Sequence, residues 1–186
     1  HIFYRRRKFK TIMKLKDSEH VYSPREDSNL LQRVVEDYMK KFKPTRVLDM
    51  GTGSGIQAIT AKKAYANAEV FGADIKPMAI DLATENAKLN SVEIKFLVSD
   101  LFERFQDQKF DLIIFNAPYL PPEPPLDPIW SGGEKFIMKF IKLAREHLTP
   151  NGNILFVYSS KSPVKFKHKI VAEEKVFFET LYVAEA

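Results

Sequence analysis

The chain has 186 residues, of which 45% are hydrophobic, and a formal net charge of +5 at pH 7. This composition suffices for one hydrophobic core, so we expect a single domain over residues 1–186, with a basic extension at about 1–20. No apolar run approaches the ~20 residues of a membrane-spanning helix, which predicts no membrane partner and a cytoplasmic location. The lack of cysteine excludes disulfides and thiolate nucleophiles, and four scattered histidines predict no metal site.

The spacing of apolar residues predicts helices and strands that alternate along the chain. The predicted helices cover 28–42, 55–65, 77–90 and 134–148, and the predicted strands cover 46–49, 69–74, 95–99, 110–115 and 153–158. Asn151-Gly152 is expected to form a turn, and the β-prone tail from Lys169 to Val183 a hairpin. This alternation is typical of an α/β fold, with a mostly parallel sheet, helices on both faces and an antiparallel hairpin at one edge.

A glycine-rich turn follows the first predicted strand. Between Asp49 and the next predicted helix, glycine occupies every second position, at Gly51, Gly53 and Gly55. Glycine permits positive φ angles and has no Cβ, so a ligand can approach the backbone closely. The spacing differs from the G-x-G-x-x-G of dinucleotide-binding turns. We interpret this segment as one wall of a cofactor site, and the alternative is a plain chain reversal.

Carboxylates also end the next two predicted strands. Asp74 follows the glycines by about 20 residues, where an acid can accept hydrogen bonds from both hydroxyls of a ribose. Asp100 ends the third predicted strand, and a carboxylate beside the apolar Leu101 suits the amino group and ring face of an adenine. Either acid could instead cap a helix. Their occurrence after successive strands favours a nucleoside-containing cofactor.

The segment Asn116-Ala117-Pro118-Tyr119 directly follows the apolar run 112–115. The Asn116 carboxamide offers donors and an acceptor, Pro118 restricts the direction of the Ala117 carbonyl, and Tyr119 supplies a flat face. Two such acceptors can hold an NH2 group with its lone pair directed at a reactive methyl group. An ordinary Asn-x-Pro turn is the alternative. At the end of a later strand, the segment predicts methyl transfer to a planar nitrogen.

Together, the glycine turn, Asp74 and Asp100 resemble the class I S-adenosylmethionine-dependent methyltransferases, which have a Rossmann-like seven-stranded sheet. The segment 116–119 resembles the Asn-Pro-Pro-Tyr signature of amino-methyltransferases acting on glutamine, adenine or guanine, with Ala117 in place of the first proline. The segment from Tyr22 to Leu31, with its Glu-Asp-Ser, is similar to one that leads into the first helix of HemK-type methyltransferases. Residues 129–134 resemble the Gly-Gly loop of that family.

The resemblance implies S-adenosylmethionine as the cofactor and S-adenosylhomocysteine as the product. It places Asp49 and Gly51 at the methionine end, Asp74 at the ribose, and Asp100 with Leu101 at the adenine. The residues that it assigns to the cofactor are Ser28, Asp49, Gly51, Gly53, Gly55, Asp74, Asp100 and Leu101. The residues that it assigns to the methyl acceptor, as the catalytic set, are Asn116, Ala117, Pro118 and Tyr119.

The chain shows no N-terminal helical bundle, so it most resembles the compact archaeal and eukaryotic branch of this family. That branch methylates the glutamine of a Gly-Gly-Gln motif in a class I translation termination factor, and some members act on lysine. A small zinc-binding activator subunit commonly covers an exposed sheet edge in these enzymes. The basic N-terminal segment and the lysines of 161–169 leave RNA or DNA contact open, with an exocyclic amino group of adenine or guanine as the alternative acceptor. A non-catalytic binding module is a further alternative, against which the intact site residues argue.

Overall fold

The computed structural model describes residues 13–117 and 133–186. In chain order the helices are α1 (Glu26–Phe42), α2 (Ile56–Ala64), α3 (Pro77–Leu89) and α4 (Glu134–Arg145), with a short 3-10 helix at Glu103–Phe105. The strands are β1 (Arg46–Met50), β2 (Glu69–Asp74), β3 (Lys95–Val98), β4 (Phe110–Phe115), β5 (Leu148–Ser159), β6 (Lys169–Val176) and β7 (Glu179–Glu185). In the described ranges, no helix is long and apolar enough to cross a membrane.

The strands form one seven-stranded sheet in the order β3-β2-β1-β4-β5-β7-β6. The neighbours from β3 to β5 pair in parallel, and β7 runs antiparallel to both β5 and β6. The predicted α/β fold with a C-terminal antiparallel hairpin is therefore confirmed. The strand order reverses between β1 and β4, and ligands of open α/β sheets bind at the carboxyl ends of strands beside such a reversal.

Helix α1 forms because its apolar residues recur at helical spacing and lie on one buried face. Leu31, Val34, Val35 and Met39 are inaccessible to solvent, and fully burying a side chain of this size contributes about 1.5–3 kcal/mol. The helix ends at Phe42, and the next residue, Lys43, adopts a left-handed φ of 51° and donates its N–H to the Met39 carbonyl. This packing holds the first turn of α1 over the carboxyl edge of the sheet.

The end of α4 and the start of β5 differ from the prediction. The helix ends at Arg145, and Leu148 already belongs to β5. The predicted turn at Asn151-Gly152 lies inside that strand, where the register with β4 shifts between Phe110 and Leu112. A Cβ on Gly152 would meet the Phe110 carbonyl at 2.7 Å, so glycine here permits a close backbone approach. Pairing with β4 therefore prevails over the local preference for a turn, and Asn151-Gly152 forms part of a β-bulge.

Aromatic packing fixes the end of β4, which carries the predicted acceptor segment. The Phe115 ring stacks on Phe140 of α4 with centroids 3.8 Å apart, and the Phe102 ring also stacks on Phe140, with centroids 5.7 Å apart. Phe115 and Phe140 are both buried. Since Asn116 directly follows Phe115, this stack gives the acceptor side of the site a rigid base.

Candidate active site

A cavity of about 410 Å³ opens at the carboxyl edge of the sheet, beside the reversal between β1 and β4. Its volume lies in the range of small-molecule sites. Its walls come from the ends of β1, β2 and β4, the start of α2, and the segment that leads into α1. Seven of the predicted site residues line it, namely Ser28, Asp49, Gly51, Gly53, Asp74, Asn116 and Ala117.

The glycine turn after β1 folds as its sequence predicts. Gly51 and Gly53 have positive φ angles of 65° and 52°, which a residue with a Cβ rarely adopts. Gly55 also has a positive φ, of 83°, but it does not line the cavity. A Cβ on Gly55 would lie 3.2 Å from the Cα of Ala83, so this glycine allows α2 and α3 to pack closely.

Asp49 is 1% exposed at the base of the cavity. Its Oδ2 accepts hydrogen bonds from the Thr52 hydroxyl at 2.6 Å and from the Ala58 N–H at 3.1 Å. Burial raises the pKa of this carboxyl to about 7, because desolvation outweighs the opposing effect of those two hydrogen bonds. A cationic ligand beside Asp49 would stabilise its charged form, so the carboxyl suits a positively charged group.

Asp74 is held at the end of β2 by two main-chain donors. The Gly53 N–H donates to Oδ2 and the Lys76 N–H to Oδ1, each at 3.0 Å. These bonds fix the carboxylate against the glycine turn, and each oxygen retains a lone pair for a further donor. The arrangement leaves room for two adjacent hydroxyls, and the assignment of Asp74 to a ribose stays a prediction.

Asp100 and Leu101 do not line this cavity. Asp100 is exposed, and Leu101 packs against the main core with a positive φ of 45°. The Leu101 carbonyl accepts a hydrogen bond from the Ser99 hydroxyl at 2.8 Å, which holds the bend after β3. The assignment of these two residues to an adenine ring stays a prediction.

On the acceptor side, Asn116 is tied to the first turn of α1. Its Nδ2 donates to the Ser28 hydroxyl oxygen at 3.0 Å and to Oδ2 of Asp27 at 3.3 Å. Its Oδ1 is buried and has no hydrogen-bond partner among residues 13–117 and 133–186. Pro118 and Tyr119, the other half of the predicted acceptor segment, lie outside the described residues.

The Asp27 carboxyl is a site residue that the sequence did not reveal. Arg25 occupies the N-cap position of α1 and makes no side-chain hydrogen bond to cap the helix. Asp27 instead accepts hydrogen bonds from the Ser28 N–H at 2.7 Å and the Tyr22 hydroxyl at 3.1 Å. Burial, followed by the nearby Asp27 charge, raises the pKa of Tyr22, so this phenol stays a donor. The Glu-Asp-Ser segment was the only available signal.

Gln57 is a second residue that the sequence did not reveal. It lies in the first turn of α2, is 2% exposed and lines the cavity. Its Nε2 donates to the Ser28 carbonyl at 2.9 Å, whereas its Oε1 is buried without a partner in the described part of the chain. An unpaired buried acceptor is costly, which makes Gln57 a candidate to bind a ligand donor.

The segment before α1 forms the outer wall of the cavity and is held by Asn86 of α3 and by Asn90, which directly follows that helix. Asn86 accepts a hydrogen bond from the Lys16 N–H at 2.7 Å, and Asn90 accepts one from the Lys14 N–H at 3.2 Å. Asn86 also donates to the Ser54 carbonyl at 2.9 Å, which links this segment to the glycine turn. Val21 then packs on α3 and completes the wall.

Comparison with known proteins agrees with this arrangement. The family described as methyltransferase small domain matches residues 14–184. A protein N5-glutamine methyltransferase of Methanocaldococcus jannaschii is 38% identical over 94% of this chain and 95% of its own length. The release factor glutamine methyltransferase of Lactococcus lactis is also 38% identical, over 58% of this chain, and the match spans only 39% of that longer enzyme.

Solved structures share the fold at lower sequence identity. The ribosomal protein L11 methylase of Lactobacillus delbrueckii subsp. bulgaricus has a TM-score of 0.62 and 22% identity over 88% of this chain and 80% of that one. A methyltransferase of Podospora anserina, solved with bound S-adenosylhomocysteine, has a TM-score of 0.53 and 20% identity over 67% of this chain and 50% of that one. On the family match and the archaeal relative, the chain belongs to the methyltransferase small domain family and is a HemK-type class I methyltransferase.

Proposed function

We propose that this protein transfers a methyl group from S-adenosylmethionine to the side-chain amide nitrogen of a glutamine in a translation release factor. The observation that carries the proposal is the orientation of Asn116, whose nitrogen is tied to α1 and whose oxygen has no partner in the described residues. The names of the relatives from Methanocaldococcus jannaschii and Lactococcus lactis support the glutamine acceptor. Because translation termination takes place in the cytoplasm, we place the reaction there.

The residues around the cavity fit S-adenosylmethionine in charge and in hydrogen-bonding capacity. When bound, this cofactor supplies an electrophilic methyl group on a positively charged sulfur, and S-adenosylhomocysteine is its product. Asp49 would face the cationic methionine end, and the lone pairs of Asp74 would accept from the ribose hydroxyls. Gly51 and Gly53 leave room for the cofactor beside the backbone. The protein thus contributes positioning and charge, which suffice for much of the rate enhancement of such a transfer.

A chain of hydrogen bonds fixes which end of the Asn116 carboxamide meets the acceptor. The Ser28 hydroxyl lies 3.4 Å from Oδ1 of Asp27 and donates to it, so its oxygen accepts from Asn116. Oδ2 of Asp27 takes the other hydrogen of the same Nδ2. The carboxamide oxygen is therefore the free group, and an oxygen acceptor binds a substrate N–H. This orientation favours an NH2 group, such as a primary amide, as the methyl acceptor.

We also propose a small zinc-binding activator subunit as a partner, on the basis of the family resemblance. Strand β3 forms one edge of the sheet, and Val98 at its end is 46% exposed. An edge strand with an exposed apolar residue is a surface that proteins commonly cover. The structural support for this partner is thus the edge strand β3, which no other strand covers in the described part of the chain.

The test is transfer of labelled methyl groups from S-adenosylmethionine to an archaeal-type termination factor, with and without the activator. The matched control is the same factor with Gly-Gly-Gln changed to Gly-Gly-Ala. We expect label on the wild-type factor alone. Label on both factors, or on neither while S-adenosylhomocysteine still binds, would contradict a glutamine acceptor.

The alternative is an amino group of adenine or guanine in RNA or DNA, since the same acceptor geometry would hold it. The observation that favours it is the exposure of Lys161, Lys165, Lys167 and Lys169. Phosphate contacts by such lysines would make binding fall steeply with salt. Methylation of transfer or ribosomal RNA, with a steep salt dependence of binding, would support this alternative over the protein acceptor.

A further inference from the structure

Two phenylalanines at the turn between β6 and β7 are almost fully exposed. Phe177 is 94% exposed and Phe178 is 93% exposed, and we call this pair the aromatic tip. Phe177 also has a positive φ of 45°, an unusual conformation for a bulky side chain that marks a candidate functional position. Exposed rings of this size are expected to contact a partner, because aromatic residues are enriched where proteins bind one another.

The aromatic tip is held firmly to the rest of the sheet. The Ser160 N–H donates to the Thr180 carbonyl at 2.9 Å, and the Thr180 N–H donates to the Ser160 hydroxyl at 2.9 Å. The Ser159 hydroxyl donates to the Glu179 carboxylate beside it. These bonds join the start of β7 to the end of β5, so a partner that binds the tip loses little conformational freedom in it.

The strand register places the aromatic tip at the same edge of the sheet as the active site. Phe115 of β4 pairs with Phe156, and Ser159 of β5 pairs with Leu181, so the carboxyl ends of β4 and β5 and the start of β7 face the same way. With ~4.8 Å between strands and ~3.3 Å per residue, the tip lies about 10 Å to the side of Asn116 and about 16 Å beyond it. A standard interface buries ~800 Å² per partner, a patch about 32 Å across, which can include both.

We infer that the aromatic tip is a docking element for the protein that carries the methyl acceptor, and this inference rests on the proposed function. The expected contact on that protein is an apolar patch flanked by acidic side chains. Lys175 pairs with Thr180 in the hairpin, and Lys161 follows Ser160, so both exposed lysines stand next to the tip. Among the described residues, no arginine pairs with the end of this hairpin, and two such phenylalanines fit an apolar protein surface better than a phosphate backbone.

The experiment compares steady-state methylation of the full-length release factor by the wild-type enzyme and by the double variant Phe177→Ala/Phe178→Ala. Because both rings are exposed, we expect unchanged thermal stability and unchanged affinity for S-adenosylhomocysteine. The KM for the factor should rise about tenfold or more, with kcat unchanged. Leucine at both positions should restore part of the affinity, since it restores part of the apolar area.

Ile170→Ala is the matched control, because Ile170 is an exposed apolar residue near the other end of the same hairpin, paired with Ala184. It should leave the KM for the factor unchanged. A double variant with the KM of the wild type would overturn the docking role, and so would an equal rise in both variants. A double variant that loses binding to RNA but keeps its KM for the factor would overturn it in favour of a nucleic acid. If the wild-type enzyme itself fails to methylate the factor, the proposed function is wrong, and the docking role falls with it.

Discussion

The carboxamide nitrogen of Asn116 lies 3.0 Å from the hydroxyl oxygen of Ser28, so a hydrogen bond ties the end of β4 to the first turn of α1. The two residues are far apart in the chain, and both line the same cavity. The bond leaves Oδ1 of Asn116 as the acceptor that defines the substrate side. The position of α1 thereby controls the orientation of the proposed catalytic amide.

Asn116→Ala should remove turnover while sparing cofactor binding. The variant loses the oxygen that we assign to the substrate N–H, and losing one positioned group of this kind typically lowers kcat by about 100-fold or more. Titration calorimetry with S-adenosylhomocysteine should give the wild-type affinity. Near-normal turnover in this variant would show that Asn116 does not hold the acceptor.

Asp27→Asn tests the orientation of Asn116 without removing it. An asparagine at position 27 offers an NH2 group as well as an oxygen, so the Asn116 carboxamide is no longer held in one orientation. We expect kcat to fall about tenfold or more with unchanged affinity for S-adenosylhomocysteine. Asp27→Glu, which keeps an acceptor, should retain more activity than Asp27→Asn. Equal kcat in both variants would argue against an orienting role.

Binding of S-adenosylhomocysteine should strengthen as the pH rises through about 7, because Asp49 must ionise to face a cationic ammonium group and its pKa is raised to about 7. Between pH 6 and pH 8 the ionised fraction rises about tenfold, and the affinity should follow it. Asp49→Asn should bind more weakly and with a flatter pH profile. The same pH dependence in wild type and variant would assign it to another group.

Without ligand, the raised pKa of Asp49 makes the free energy of unfolding fall as the pH rises, whereas the affinity for the ligand increases. A carboxyl whose pKa is higher in the folded state than in the unfolded chain stabilises the fold at low pH, and that contribution is lost as the pH rises through about 7. Asp49→Asn should therefore reduce the decline in the free energy of unfolding between pH 5 and pH 8, measured by urea denaturation without ligand. An unchanged decline in the variant would contradict the shifted pKa.

Gln57→Leu should weaken binding of S-adenosylhomocysteine but not of methylthioadenosine, which lacks the amino acid part. The expected reason is that Oε1 of Gln57, which has no partner among the described residues, accepts from the ammonium group of the bound cofactor. Calorimetry with both ligands separates this role from a general disturbance of the cavity. An equal loss for the two ligands would place Gln57 outside the methionine end.

Gly55→Ala should lower the free energy of unfolding by about 2–3 kcal/mol. An alanine at this position would be strained by the positive φ, and its Cβ would also crowd Ala83. Gly53→Ala is the control, since its φ is also positive but its Cβ would meet other atoms only at 3.9 Å or more. We expect about 1 kcal/mol for that control. Equal losses in the two variants would show that contact between α2 and α3 is not the cause.

The fold was predictable from the sequence because each strand and helix carries its own periodic pattern. The main error, at the start of β5, arose where pairing with β4 overrode the local turn signal of Asn151-Gly152. The position of Asp49 and Asp74 at one cavity was predictable, since acids at strand ends reach one sheet edge. Asp27 and Gln57 were not, because their roles depend on helix packing that brings distant residues to Ser28.

The most direct test of the glutamine acceptor is to locate the methyl group by mass spectrometry on a termination factor treated with the enzyme and S-adenosylmethionine. Fragmentation of the peptide that contains Gly-Gly-Gln should place one added methyl group on the glutamine side chain. A methyl group found on a lysine, or on RNA present in the same reaction with the glutamine unmodified, would contradict the account.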